Sequence, residues 1–295
     1  MGLRRSAFDT AAGCDDAYRG GISFGVFAQA CGMKNRLATL IGIVWLSAVI
    51  GFVLAPLLIA LVVSFSDSEL ISFPISSYSV RWFATAWQKE IFWRSALNSL
   101  WLALAAVAVA GPVGLAAALA IRRAPPAIAQ PIEAVLMLPL LVPAIVLSLS
   151  LLVASVITGI TDAPLRLWAA HSVVVLPYVV RTCLASLGSM PRQVEEAART
   201  LGASPWRVFR HVTLPLMRPG LFAGCAFAFI LSFDNVSVSL FLVNQKTPTL
   251  PLAIMNYVEY NFDPGVAAVS ATMVALSLAI AWLVERMVGL RKVLG

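Results

Sequence analysis

The chain has 295 residues, of which 60% are hydrophobic and only 12% charged, and its formal net charge is +7. A soluble domain of this size has no interior able to hide so much apolar surface, so the bilayer must act as solvent for most of the chain. The excess of Lys and Arg requires no nucleic-acid partner, because loops facing the cytoplasm carry that bias in membrane proteins.

Residues 1–36 mix Gly, Asp and Arg without periodicity and read as a disordered tail or a start-site extension. The segment "MKNRLATLIGIVWL" reads as a short basic start feeding a first span, so Met33 is expected to be the natural initiator. A cleaved signal peptide fits less well, because the apolar run continues past Gly51 and Pro56. A span needs about 20 apolar residues to cross a hydrocarbon core of about 30 Å. Six stretches qualify: Leu37–Val63, Asn98–Ile121, Ile132–Ile157, Leu165–Leu187, Gly220–Val243 and Gly265–Val288. They define an all-α membrane domain over 37–288, followed by a short tail at 289–295.

Between the first two spans, "VRWFATAWQKEIFW" places Trp82, Phe83, Trp87, Phe92 and Trp93 in one segment. Amphipathic aromatics beside a span favour the headgroup region, which predicts a short helix along the outer surface. Gly111-Pro112, Pro139, Pro143 and Pro177 fall inside spans, where neighbours or water satisfy the freed carbonyls and kinks result. With the N-terminus inside, sixteen of the 21 Lys and Arg face the cytoplasm and five face outward, so both termini are expected inside. Cys14 and Cys31 lie in the tail, and Cys183 and Cys225 lie in spans. None shows ligand or disulfide spacing, and all read as small apolar residues.

The polar stretch "EEAARTLGASPWRVFRHVTLP" lies in the loop 189–219 between two spans. Ser189 and Pro191 suit a helix start, Glu195 and Glu196 favour its early turns, and Glu195 pairs in spacing with Arg199. Gly202 suits a left-handed cap after the helix, and Ser204 with Pro205 opens a second short helix. That helix is expected to put Trp206, Phe209 and Val212 on one side and to end at Pro215. A DNA-binding helix–turn–helix has similar punctuation, but a helix tethered between two spans, with aromatics on its face, cannot enter a major groove. The alternative is a docking knob, whose flat Ala197–Ala198 patch approaches a partner's groove closely.

Glu196-Ala197-Ala198, Gly202, Val212, Leu214 and Pro215 follow the pattern E-A-A, three residues, G, nine residues, I, one residue, L-P. The chain thereby resembles the inner-membrane permease subunits of binding-protein-dependent ABC importers, with Val212 standing in place of Ile. "SFSDSELISFP", "SALNSL", "LMLPLLVPAIVLSLSLL" and "SFDNVSVSLFL" are similar to the spermidine/putrescine branch of that family. The resemblance implies a type I importer permease fold and a coupling helix seated in a cytoplasmic ATPase dimer. It implies a docking core of Glu196, Ala197, Ala198 and Gly202, flanked by Glu195, Arg199, Leu201 and Arg207. Implied partners are that ATPase, a second homologous permease subunit, a periplasmic solute-binding protein and membrane lipid, with no nucleic acid.

No GxxxxGK[ST] loop occurs, so this chain is expected to bind no cofactor and no metal, and the resemblance implies that ATP and magnesium sit on the partner ATPase. No nucleophile–base pair points to an enzyme. Asp234 is the acid deepest in a span, and such groups usually face a cavity. At about 1.5 Å per residue it lies about 21 Å from Gly220, in the outer half, at a depth similar to His171. Asp234, Asn235 and His171 are therefore candidates for the solute path, for a cationic amine. On a regular helix Asp234 and Asn235 point about 100° apart, so both line one path only if the helix is distorted there. Arg181, nearer the cytoplasm, is expected to snorkel. A polyamine is the solute the resemblance favours. Amino-acid-like, opine or aminophosphonate solutes, a stand-alone channel or secondary transporter, and a membrane-anchored regulator are the alternatives.

Overall fold

The computed structural model describes residues 36–71, 74, 75, 77–244, 247–261 and 263–288. The expectations for the N-terminal tail, the Met33 start and the C-terminal tail lie outside them. The chain divides after Ala60 into two units. Helix α1 (Arg36–Val63) supplies the first unit up to Ala60; it is apolar along its length and long enough to cross a membrane.

In the second unit an isolated antiparallel bridge joins Ser66 to Tyr78 in the segment after α1. The short helix α2 (Arg81–Gln88) and the start of the long helix α3 (Glu90–Arg123) carry the aromatic segment. The second span therefore begins eight residues earlier than expected at Asn98, because only extended Lys89 (φ −69°, ψ 120°) separates α2 from α3. The aromatics are not all interface anchors. Phe92 is fully buried against Tyr257, and Trp87 Nε1 donates to Thr272 Oγ1 at 3.3 Å. Trp93 remains exposed.

The expected third span is not one straight helix. It forms α4 (Pro126–Leu141) and α5 (Ala144–Ile157), bent by 108°. Val142 precedes Pro143 and is forced out of the helical region to φ −88°, ψ 132°, while Pro143 has no N–H to continue the ladder. α6 (Ala163–Ser189) starts with Asp162 accepting from Leu165 N at 3.0 Å. Among the described residues five helices are long and apolar enough to cross a membrane, or six segments when the bent pair counts as one.

The core forms where α3, α6 and α9 (Leu214–Phe233) meet, from Ala106, Ala110 and Ala118, from Val175, Val179 and Cys183, and from Met217 and Ala228. Lipid removes most of the hydrophobic drive between helices, so small residues that permit close backbone approach hold them together. Gly220 and Gly224, one turn apart on α9, are such residues. A Cβ at Gly220 would come within 2.8 Å of Thr182 O, and one at Gly224 would overlap Thr182 Oγ1 and reach 3.1 Å from Val179 Cα. Gly114 of α3 makes a similar approach, 2.8 Å from Val179 Cγ1.

Beyond α9 lie α10 (Val236–Leu242), α11 (Leu250–Tyr260) and α12 (Gly265–Val288). α11 is tied to the start of α3 by Leu250 N donating to Ser99 Oγ at 2.8 Å and Asn98 Nδ2 donating to Pro248 O at 3.1 Å. At the same end, Lys89 forms an ion pair with Asp263 at 3.6 Å and lies 4.3 Å above the Tyr257 ring. Tyr257 donates its hydroxyl to Asp263 and accepts from Lys89, which clamps the α2–α3 junction to the α11–α12 junction.

Candidate functional site

Two features carry chemistry, at opposite ends of α6. The first is the polar loop that follows it. Met190 precedes Pro191 and is held extended (φ −87°, ψ 121°), which ends α6 and turns the chain into α7 (Arg192–Thr200). Ser189, expected to start the new helix, is the last residue of the old one; Pro191 is the cap of α7. Gly202 takes φ +80°, and its N–H reaches Arg199 O at 2.9 Å while Ala203 N–H reaches Ala198 O at 3.1 Å. This paired closure satisfies the last carbonyls of α7, and a side chain at Gly202 would be strained in it. Ser204 Oγ then accepts from Arg207 N at 3.4 Å, with Pro205 opening α8 (Pro205–Val208).

Pro215 does not end this second helix. α8 runs on through a π-helical turn, Phe209–Thr213, directly into α9. The widened turn bonds Leu214 N to Phe209 O and shifts the ladder ahead of the proline, which enters α9 near its start, where a missing N–H costs least. Trp206 and Phe209 pack at 5.4 Å between ring centroids, as the spacing predicts.

Of the predicted docking residues, Glu196, Ala197, Arg199, Leu201, Gly202 and Arg207 are exposed, and Ala198 is half-buried. Leu201 stands out at 88% exposure at the tip of the loop. Glu195 behaves differently. It does not pair with Arg199. Its Oε1 accepts from Thr213 Oγ1 at 2.6 Å, and its Oε2 lies 3.8 Å from Arg122 Nη2, with both charged side chains largely buried. Arg122 also donates to Leu187 O at 2.8 Å and Met190 O at 3.5 Å. A crevice of about 380 Å³ beside them is lined by Arg122, Arg123, Glu195, Glu196 and Arg199. Sequence reasoning missed Arg122 and Thr213; an arginine ending a span reads only as a loop charge.

The second feature is a break in the expected fifth span. α9 stops at Phe233, Asp234 closes it (φ −95°, ψ 9°), and extended Asn235 opens α10 by accepting from Val238 N at 2.8 Å. Asp234 is exposed, and among the described residues no side chain donates to its carboxylate. Asn235 is half-buried and its carbonyl oxygen is committed to the cap. His171 is 1% exposed and lies beside the break without lining an open surface. Its Nδ1 lies 2.9 Å from Ser232 Oγ on α9, and its Nε2 lies 3.3 Å from Ser239 Oγ on α10. Ser148 Oγ of α5 donates to Val238 O at 2.8 Å, and Arg166 of α6 donates to Leu242 O at 2.9 Å. Arg181 is exposed on α6, toward the polar-loop end.

These features define a multi-pass, all-α membrane domain with a capped polar loop at one end and an unwound, acid-bearing break toward the other. Residues 110–290 match the family described as binding-protein-dependent transport system inner membrane component, and the chain belongs to that family. It is 32% identical over 203 residues to the spermidine/putrescine transport system permease protein PotC of Haemophilus influenzae, covering 69% of this chain and 79% of that one. It is 29% identical over 236 residues to the putrescine transport system permease protein PotI of Escherichia coli, covering 78% of this chain and 83% of the relative. Among solved structures, it is similar to a bacterial ABC transporter involved in the import of the acidic polysaccharide alginate, with a TM-score of 0.64 at 17% identity. That match covers 84% of this chain and 94% of the other. The inward-facing MetNI methionine ABC transporter matches with a TM-score of 0.55 at 21% identity, over 70% of this chain and 96% of that one. The fold is that of an ABC importer permease.

Proposed function

We propose that this chain is the permease subunit of an ATP-binding-cassette importer that carries a polyamine, such as spermidine or putrescine, across a bacterial inner membrane. The observation that carries the reading is the loop after α6. It is a knob, capped at both its turns, that presents Glu196, Ala197 and Leu201 to solvent while remaining continuous with α9. Such a knob serves a cytoplasmic ATPase dimer, which would hold the ATP and magnesium. A periplasmic solute-binding protein and a second permease subunit complete the assembly, and both termini of this chain face the cytoplasm. ATP binding then shifts the equilibrium between two arrangements of the spans, by as much as the partners' affinities for them differ.

Asp234 is the acid for a cationic amine. The break frees it from a helix face, and its carboxylate is exposed without a donor among the described residues. The names of the relatives support a polyamine over other small organic solutes. In the reconstituted transporter, Asp234→Asn is expected to raise the KM for spermidine at least tenfold while ATPase assembly is retained. Uptake unchanged across solute concentrations would remove Asp234 from the path.

A further inference from the structure

We propose that Glu195 is a positioning residue: the internal joint through which the docking helix moves the spans, and not a contact offered to the ATPase. The inference rests on the docking reading of α7. Glu195 and Glu196 are neighbours in sequence, yet they face opposite ways. Glu196 is exposed, whereas the Glu195 side chain is 15% exposed and its two oxygens go to two different elements. One accepts from Thr213, which is fully buried in the π-turn that leads into α9. The other faces Arg122 at the end of α3. The same guanidinium donates to Leu187 O and Met190 O, the last carbonyls of α6.

One carboxylate and one guanidinium thus join α7 to the ends of α3, α6 and α9. Those are the three helices that pack together as the core. A push on α7 must move these ends together or break the joint. The π-turn lies on the Thr213 side of it, at the junction with α9, and such turns are frequent at functional sites.

The test uses the complete transporter with its ATPase and solute-binding protein in proteoliposomes, carrying Glu195→Gln, Thr213→Val, Thr213→Ser or Glu196→Gln. Assembly, ATP hydrolysis and radiolabelled spermidine uptake are measured together. Glu195→Gln and Thr213→Val are expected to assemble normally and keep hydrolysing ATP, with spermidine moved per ATP falling at least fivefold. Thr213→Ser, which keeps the hydroxyl, is expected to restore that ratio, and Glu196→Gln is expected to weaken assembly instead. The proposal is overturned if Glu195→Gln loses assembly as Glu196→Gln does, or if the ratio is unchanged. Should Glu195→Gln fail to fold, equal ratios for the Val and Ser variants at Thr213 overturn it. A cysteine at Ala198 that never crosslinks to the ATPase defeats the docking reading itself; crosslinking with an unchanged ratio defeats only the role of Glu195.

Discussion

His171 Nδ1 lies 2.9 Å from Ser232 Oγ, and this bond carries one half of a clamp across the helix break. Ser239 Oγ spends its proton on Asn235 O at 2.9 Å, so toward the imidazole it accepts, and His171 donates from Nε2. Nδ1 pairs with Ser232. Each ring nitrogen is thereby joined to a different helix on either side of Asp234. Replacing His171 with Leu removes both bonds and leaves imperfect packing, a loss of about 2 kcal/mol. Thermal unfolding of the purified protein in detergent checks this, and His171→Asn is expected to recover part of the loss by keeping one bond. A Leu variant as stable as the parent would mean the clamp carries no weight.

Gly224 offers a packing test at the core. A methyl there overlaps Thr182 Oγ1 and stands 3.1 Å from Val179 Cα, so α9 must move away from α6. Overpacking of this kind costs about 1–3 kcal/mol. Gly224→Ala is expected to lower the unfolding temperature, and Thr182→Ala in the same chain is expected to restore part of it, because the hydroxyl is the nearest obstacle. A double-mutant cycle measures the coupling, and strict additivity of the two changes would refute the contact.

The Lys89–Tyr257–Asp263 clamp predicts a dependence on alkaline pH. Burial, reinforced by the hydrogen bond to Asp263, raises the Tyr257 phenol above its ordinary value of 10.0. A group whose pKa is raised on folding contributes stability that is complete below the unfolded pKa and is lost as pH rises toward the folded one. Stability should therefore decline from about pH 10 upward, and Tyr257→Phe should make that decline shallower. Melting curves of the two proteins between neutral and strongly alkaline pH decide it. Identical slopes would exclude Tyr257 as a cause.

The polar loop after α6 was legible because its signals are local. Gly202 after the last helical residue and Ser204 with Pro205 each act over a few residues, and the structure realises them at φ +80° and in the Ser204 cap. The membrane spans were legible for a similar reason, since apolar length alone measures a bilayer. Pro143 and Pro215 mark the limit. Both lack an N–H, yet one ends in a 108° bend and the other lies in a continuous helix. Whether a neighbouring turn widens to absorb the missing bond is not written in the proline.

What the amino-acid order determined was the membrane class, the apolar stretches long enough to span, the capped loop and the presence of an acid at Asp234. Only the tertiary structure decided that Glu195 turns to Arg122 and Thr213 instead of Arg199, that His171 is buried across the break, and that Phe92 packs inside. Hydropathy and helix caps depend on neighbours along the chain. A buried polar group takes whichever partner close packing brings to it, and those partners lie tens of residues away.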